Sequence, residues 1–168
     1  MDFDLIYLSL GSNIGNKLNN IEKAIGEISL LVASPIRKSS LYETEPWGNS
    51  NQEQFLNQVL AIKTKYDPKG LLDKLLEIEI ALGRIRTERN APRIIDIDIL
   101  IFKDQIIRNP ELVIPHPRMH LRKFILVPMN EIAPDLIHPV LNVSMKELLK
   151  ECTDKSFVKK RPYHEIKS

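Results

Sequence analysis

The sequence predicts an α+β sandwich with a largely antiparallel sheet, and three observations carry that prediction. Strand-like and helical hydrophobic patterns alternate in the order β-α-β-β-α-β. Two of the strand-like runs follow one another without a helix between them. Glycine, proline and asparagine clusters separate the pieces at short spacing.

Leu5-Ile6-Tyr7-Leu8-Ser9-Leu10 reads as the first strand, ended by the turn formers Gly11-Ser12-Asn13 and Gly15. Leu18, Ile21, Ala24, Ile25, Ile28, Leu31 and Val32 recur every three or four residues and predict an amphipathic helix over 16–32, capped by Asn13 or Asn16. After Pro35 a second strand runs over 36–44. A long loop, 45–53, holds Pro46, Trp47 and Gly48, and a third strand follows over 55–65. Asp67-Pro68 opens the next helix, which carries Leu71, Leu72, Leu75, Leu76, Ile78, Glu79 and Leu82 and stops at Gly83. The fourth strand is the β-branched run 94–102. Beyond it, prolines at 115, 117, 128, 134 and 139 cut the chain into short pieces, with helices over 122–132 and 144–152. The pattern is that of a ferredoxin-like βαββαβ unit with helices packed on the sheet. Residues 1–152 read as one domain and 153–168 as a polar tail.

With 43% hydrophobic and 27% charged residues among 168, the chain is an ordinary globular one. Its net charge of +2 is too small to imply general nucleic-acid affinity, although basic residues concentrate at 84–93, 118–123 and 155–161. The single cysteine, Cys152, excludes an intramolecular disulfide and a cysteine-based zinc site, and reads as a small packing residue. Met1-Asp2-Phe3-Asp4 is acidic and leads straight into a strand, unlike a secretory leader, and no uncharged run approaches a membrane span. A cytoplasmic location is the expectation.

Asp96-Ile97-Asp98 is the feature most in need of explanation. Two carboxylates stand in the most apolar stretch of the chain, and residues two apart on a strand share a face. Side by side they repel unless a cation lies between them. Arg84, Arg86, Arg89 and Arg93 precede them, and guanidinium forks match phosphate geometry. Paired oxygens beside clustered arginines suit Mg²⁺ on a polyphosphate. The structural alternative has one aspartate paired to an arginine and the other at a solvated sheet edge. A lone histidine is more often structural, but His116, held between Pro115 and Pro117, and Arg122 form a cluster that could hold an anion. Trp47, the only tryptophan, reads as a stacking platform or as a loop anchor tucked on the core. Gly11–Gly15 lacks the spacing of a phosphate-binding glycine loop.

In order along the chain, Leu10-Gly11-Ser12-Asn13, Ser40-Leu41-Tyr42-Glu43-Thr44, Pro46-Trp47-Gly48, Phe55-Leu56-Asn57, Glu79, Gly83-Arg84, Pro92-Arg93, Asp96-Ile97-Asp98-Ile99 and Ile114-Pro115-His116-Pro117-Arg118-Met119 with Arg122 and Phe124 resemble the 6-hydroxymethyl-7,8-dihydropterin pyrophosphokinase family. The resemblance spans about residues 5–140. It implies transfer of pyrophosphate from ATP to the pterin hydroxymethyl group, in folate biosynthesis, with AMP released. It further implies two Mg²⁺ ions on Asp96 and Asp98, and phosphate contacts from Arg84 and Arg93. Glu79, Ile99, His116 and Arg122 would serve the ATP site. Thr44, Glu45, Trp47, Gly48, Phe55, Asn57 and Phe124 would serve the pterin. The implied partners are these small molecules alone, with no nucleic acid and no membrane, bound by a monomer. Loops 45–53 and 84–92 are expected to move and to close over substrates. Two competing readings are an RNA-binding module, poorly supported at 6% aromatic content, and a kinase that transfers the γ-phosphate.

Overall fold

A computed structural model describes residues 4–46, 51–85 and 92–167. In chain order the elements are β1 (Ile6–Ser12), α1 (Lys17–Ser29), β2 (Arg37–Lys38), β3 (Leu41–Thr44), β4 (Phe55–Ile62), α2 (Pro68–Ala81), β5 (Asp96–Phe102), β6 (Ile107–Arg108), β7 (Val113–Ile114), α3 (Lys123–Ile132), α4 (Met145–Glu151), β8 (Val158–Arg161) and α5 (Tyr163–Lys167). A short 3₁₀ turn, Met119–Leu121, precedes α3. The main sheet has the order β5-β1-β4-β3-β8, with β2 also paired to β4. Its pairings are all antiparallel. The β1-α1-β3-β4-α2-β5 part is a ferredoxin-like βαββαβ unit, as the order of patterns predicted.

Local chemistry explains the helix ends. Asn16 accepts the Asn19 N–H at 3.0 Å, and Asp67 accepts the Gly70 N–H at 2.7 Å with Pro68 at the first helical position. Past α2, Gly83 sits at φ +99, a conformation that side-chain-bearing residues rarely adopt, which fixes glycine there. Three boundaries differ from expectation. The second strand is split at Ser39-Ser40 into β2 and β3. Gly11 and Ser12 lie inside β1 rather than in a turn, because Gly11 pairs with both β4 and β5 and Ser12 with β4. The segment read as a polar tail carries β8 and α5.

The sheet buries both faces. On one, Ile6, Leu8, Leu10, Leu56, Leu60, Ile97 and Ile99 pack with Leu18, Ile21 and Ile28 of α1 and Leu71, Leu75 and Ile78 of α2. On the other, Tyr7, Val59, Ala61 and Ile101 pack with Ile125, Leu126 and Met129 of α3 and with Met145 and Leu148 of α4, and Cys152 packs at the margin of this cluster. The second layer covers only part of its face. The remainder, over the end of β1 and the start of β5, is where the site lies.

β8 closes the β3 edge through four paired residues, with Arg161 on Glu43 at 2.8 Å, Lys160 near Glu131 at 3.2 Å and the Phe157 N–H on Glu45 at 2.8 Å. Deleting residues 155–168 removes all of these. At roughly 2–4 °C per kcal/mol, a loss of about 2 kcal/mol or more lowers Tm by at least about 4 °C. An unchanged Tm in differential scanning calorimetry would refute this role for β8.

His138, between α3 and α4, is 4% exposed. Its Nδ1 accepts the N–H groups of Val140 and Leu141 at 3.2 and 3.1 Å, so Nε2 carries the proton of the neutral ring and has no partner among the described residues. Burial first, then nearby His120, pushes its pKa down to about 4. Between about 6.5 and 4 the unfolded chain therefore takes up a proton that the folded chain refuses, and stability falls as pH falls through that window. Asparagine can keep the Nδ1-type acceptor without titrating. His138→Asn should flatten the loss of stability between pH 6.5 and pH 4 by up to about 1.4 kcal/mol per pH unit. Parallel curves for variant and parent in urea melts across that range would contradict it.

Candidate active site

Register builds the site. Asp98 stands directly across from Ser9, and Asp96 across from Gly11, which in turn faces Asn57 on β4. Directly opposed residues share a face, so the two acids point the same way and Ile97 and Ile99 point into the α1/α2 core. Beyond them the register shifts. Tyr7 pairs with Ile101 and Leu8 with Ile99, leaving Leu100 as the extra residue of a β-bulge. That single insertion lets Asp98, Leu100 and Ile101 all face the α3/α4 side.

The result is a cavity of about 300 Å³ lined by Ser9, Gly11, Thr44, Glu45, Gln52, Phe55, Asn57, Arg84, Arg93, Asp96, Asp98, Arg118, Arg122 and Phe124. Gly11 keeps its floor open, since a Cβ there would lie 2.7 Å from Asn57 Oδ1. Asn57 is 4% exposed and donates its Nδ2 to Thr44 Oγ1. Its Oδ1 stays directed at the glycine floor.

The acids have unequal surroundings. Arg84 Nη1 donates to Asp96 Oδ1 at 2.9 Å, and Arg93 Nη1 donates to Oδ2 at 3.1 Å. Beneath them Glu79, 2% exposed, accepts from Arg84 Nη1 and, at 2.8 Å, from the Ile97 N–H. Burial raises the Glu79 pKa, against the pull of the Ile97 N–H and Arg84. Asp98, half-buried, makes no salt bridge or hydrogen bond among the described residues. Burial, then Asp96, then Glu79 push its pKa up to about 7. The structural alternative thus holds for Asp96, which is paired to arginines. Asp98 lines the cavity, on β5, which is the end strand of the sheet. A carboxylate with no direct partner, only partly offset by the charges of Arg122 and Arg93, beside a directly paired one is a place where a hard cation could sit. No group of three or more His, Cys, Asp or Glu is arranged to hold a metal ion among the described residues. The donor set still fits Mg²⁺, which takes one or two carboxylates and completes its shell with phosphate and water oxygens.

On the opposite wall the Arg122 guanidinium lies 5.7 Å from the Phe124 ring centroid. His116 is outside the cavity lining. Its Nδ1 accepts the Arg118 N–H at 3.2 Å, and burial, then Arg122, lowers its pKa to about 4. The ring is neutral near pH 7, so it can offer only an Nε2–H donor and not a cation. Ile99 is 5% exposed in the α1/α2 core and presents no side chain to the cavity. Trp47 and Gly48 fall outside the described residues, as does most of what was expected of loops 45–53 and 84–92. Ser9, Gly11, Gln52 and Arg118 line the cavity without having been singled out as site residues. Gly11 carried a signal, since a glycine inside a strand marks close approach of another group, and Ser9 lies two residues before it on the same face. Gln52 had none.

Two carboxylates with guanidinium groups around them share one cavity with an amide and two aromatic rings, a set of groups compatible with an enzyme of phosphoryl transfer. Comparison with known proteins agrees. Residues 7–134 match the family described as 7,8-dihydro-6-hydroxymethylpterin-pyrophosphokinase (HPPK), and the chain belongs to it. The 2-amino-4-hydroxy-6-hydroxymethyldihydropteridine pyrophosphokinase of Aquifex aeolicus is 42% identical over 153 residues, covering 90% of this chain and 94% of the relative. That of Methylorubrum extorquens is 45% identical over 135 residues, covering 78% and 84%. Among solved structures, the Plasmodium falciparum HPPK-DHPS with STZ-DHP superposes with a TM-score of 0.71 at 19% identity, a likeness of fold. It covers 88% of this chain, which spans 43% of the Plasmodium one.

Proposed function

We propose that the chain transfers the pyrophosphoryl group of ATP to the hydroxymethyl oxygen of 6-hydroxymethyl-7,8-dihydropterin, releasing AMP, a step of folate biosynthesis. The observation that supports this reading is the register row Asp96–Gly11–Asn57, a carboxylate and an amide in one cavity, which in this reading would face the phosphates and the pterin edge. The hydroxymethyl oxygen bonds to the β-phosphorus, and the bond from that phosphorus to the α,β-bridging oxygen breaks. The bridging oxygen leaves with AMP, and the hydroxyl proton passes to solvent.

Positioning and charge neutralisation do most of the work in such a transfer. Two Mg²⁺ ions held by Asp96 and Asp98 would neutralise the polyphosphate and polarise the β-phosphorus. Arg84 and Arg93 would contact phosphate oxygens, and Glu79 sets the Arg84 guanidinium by accepting from it. Arg122 and His116 add donors on the far side. Asn57 and backbone groups at Thr44 and Glu45 would read the pterin edge, with Phe124 and Phe55 against the ring. Any contact from Ile99 to ATP would come from its backbone, and Trp47 and Gly48 remain assigned to the pterin side on resemblance. The reading includes a cytoplasmic monomer, as the resemblance implies; no helix among the described residues is long and apolar enough to cross a membrane.

Incubation with ATP, Mg²⁺ and the pterin, followed by nucleotide chromatography, tests this. AMP appearing only when both pterin and Mg²⁺ are present is the expected result. ADP would indicate γ-phosphate transfer, and no turnover would leave a binding module.

A further inference from the structure

Asn13, just past β1, is 2% exposed yet lies in a connection rather than an element. Each polar group of its side chain is used over long sequence distances. Its Oδ1 accepts the Arg93 N–H at 2.7 Å, and its own N–H donates to the Arg93 carbonyl at 3.1 Å. Its Nδ2 donates to Gln52 Oε1 at 2.7 Å and to the Glu53 carbonyl at 3.3 Å. The helix cap nearby is supplied by Asn16, so Asn13 is not needed for it. The two segments it grips lead to opposite halves of the cavity. Arg93 continues to Asp96, and Gln52 lines the cavity together with Phe55 and Asn57.

We propose that Asn13 is a positioning residue that fixes Arg93 and the Gln52–Glu53 segment to one another, so that order imposed by one substrate is passed to the subsite of the other. The proposal rests on the substrate assignment above. The residue type follows from the geometry. One planar group must present an acceptor to one segment and two N–H bonds to the other, which an amide does and a carboxylate or hydroxyl does not. Coupling of this kind is reciprocal, so each ligand strengthens the other by the same factor.

The test is calorimetric titration of the full chain with 6-hydroxymethyl-7,8-dihydropterin, without and with saturating Mg²⁺ and α,β-methylene-ATP, whose bridging carbon blocks transfer. The parent protein should bind the pterin roughly fivefold or more tighter in the presence of the nucleotide analogue. In Asn13→Ala that ratio should fall toward one, with kcat reduced more than either separate affinity. A merely structural Asn13 would lower Tm and leave the ratio of the folded variant intact, which would overturn the proposal. Gln52→Met removes the shorter of the two bonds on the other side, leaving the longer one to the Glu53 carbonyl and both Arg93 bonds. It should also reduce the ratio, and it decides the matter alone if Asn13→Ala does not fold. An uncoupled parent protein overturns the proposal too, whereas a parent that binds neither ligand refutes the substrate assignment instead.

Discussion

Asp98→Asn should lower the rate of AMP formation by at least about 10²–10³-fold, the range for losing one preorganised electrostatic group, while the protein becomes no less stable. The two halves of this result have one cause. Asp98 stands in the cavity wall with neither a salt bridge nor a hydrogen bond among the described residues, and its pKa is raised to about 7 by burial, by Asp96 and by Glu79. A raised carboxylate pKa means the folded chain holds a proton that the unfolded chain has released. The group therefore favours folding at low pH, and that contribution is lost as pH rises from about 4 to about 7. Asparagine keeps the shape and stays neutral throughout. Thermal melts without metal should give the variant a Tm at or above the parent's at pH 8 and no such gain at pH 4. A variant with near-parental turnover, or one that is less stable at pH 8, would contradict this account of the residue.

Glu79→Leu has the second largest expected effect and the opposite signature, losing stability and activity together. The carboxylate accepts from Arg84 Nη1 and from the Ile97 N–H, joining the end of α2 to the first residues of β5. Leucine fits the apolar face of α2 but leaves the buried Ile97 N–H without its acceptor and Arg84 with Asp96 alone. An unsatisfied buried N–H costs about 1–3 kcal/mol, and the weakened ion pair of Arg84 adds to it. Urea melts should show that loss. In the folded fraction kcat should fall, because Arg84 no longer has two carboxylates to hold it. Glu79→Gln keeps an acceptor for Ile97 and should recover part of the stability. Equal melts for parent and Glu79→Leu would show that Glu79 is not the support described.

Particular residues show what the sequence could and could not yield. Alternation alone placed Asp96 and Asp98 on one face, because strand periodicity is local. It could not find the bulge at Leu100 or the β5-β1-β4-β3 order, which depend on pairing between distant segments. Gly11 and Ser12 read as a turn because those residue types usually make one, whereas the closed approach of Asn57 requires glycine within the strand. β8, Val158-Lys159-Lys160-Arg161, shows no apolar alternation, since it is an edge strand whose basic side chains meet Glu43 and Glu131. Glu79 stood in the apolar rhythm of α2, and only the structure shows which groups it serves. Arg118 and Gln52 reach the cavity through loop geometry that no spacing encodes.

The claim on which the rest depends is that the Asp96–Asp98 pair holds divalent metal on ATP. Crystals of the complex with α,β-methylene-ATP and Mn²⁺, measured at the manganese absorption edge, test it directly. Anomalous peaks within about 2.0–2.3 Å of oxygens from both aspartates and from the polyphosphate are expected. Manganese bound to phosphates alone, with Asp98 left unligated, would contradict it.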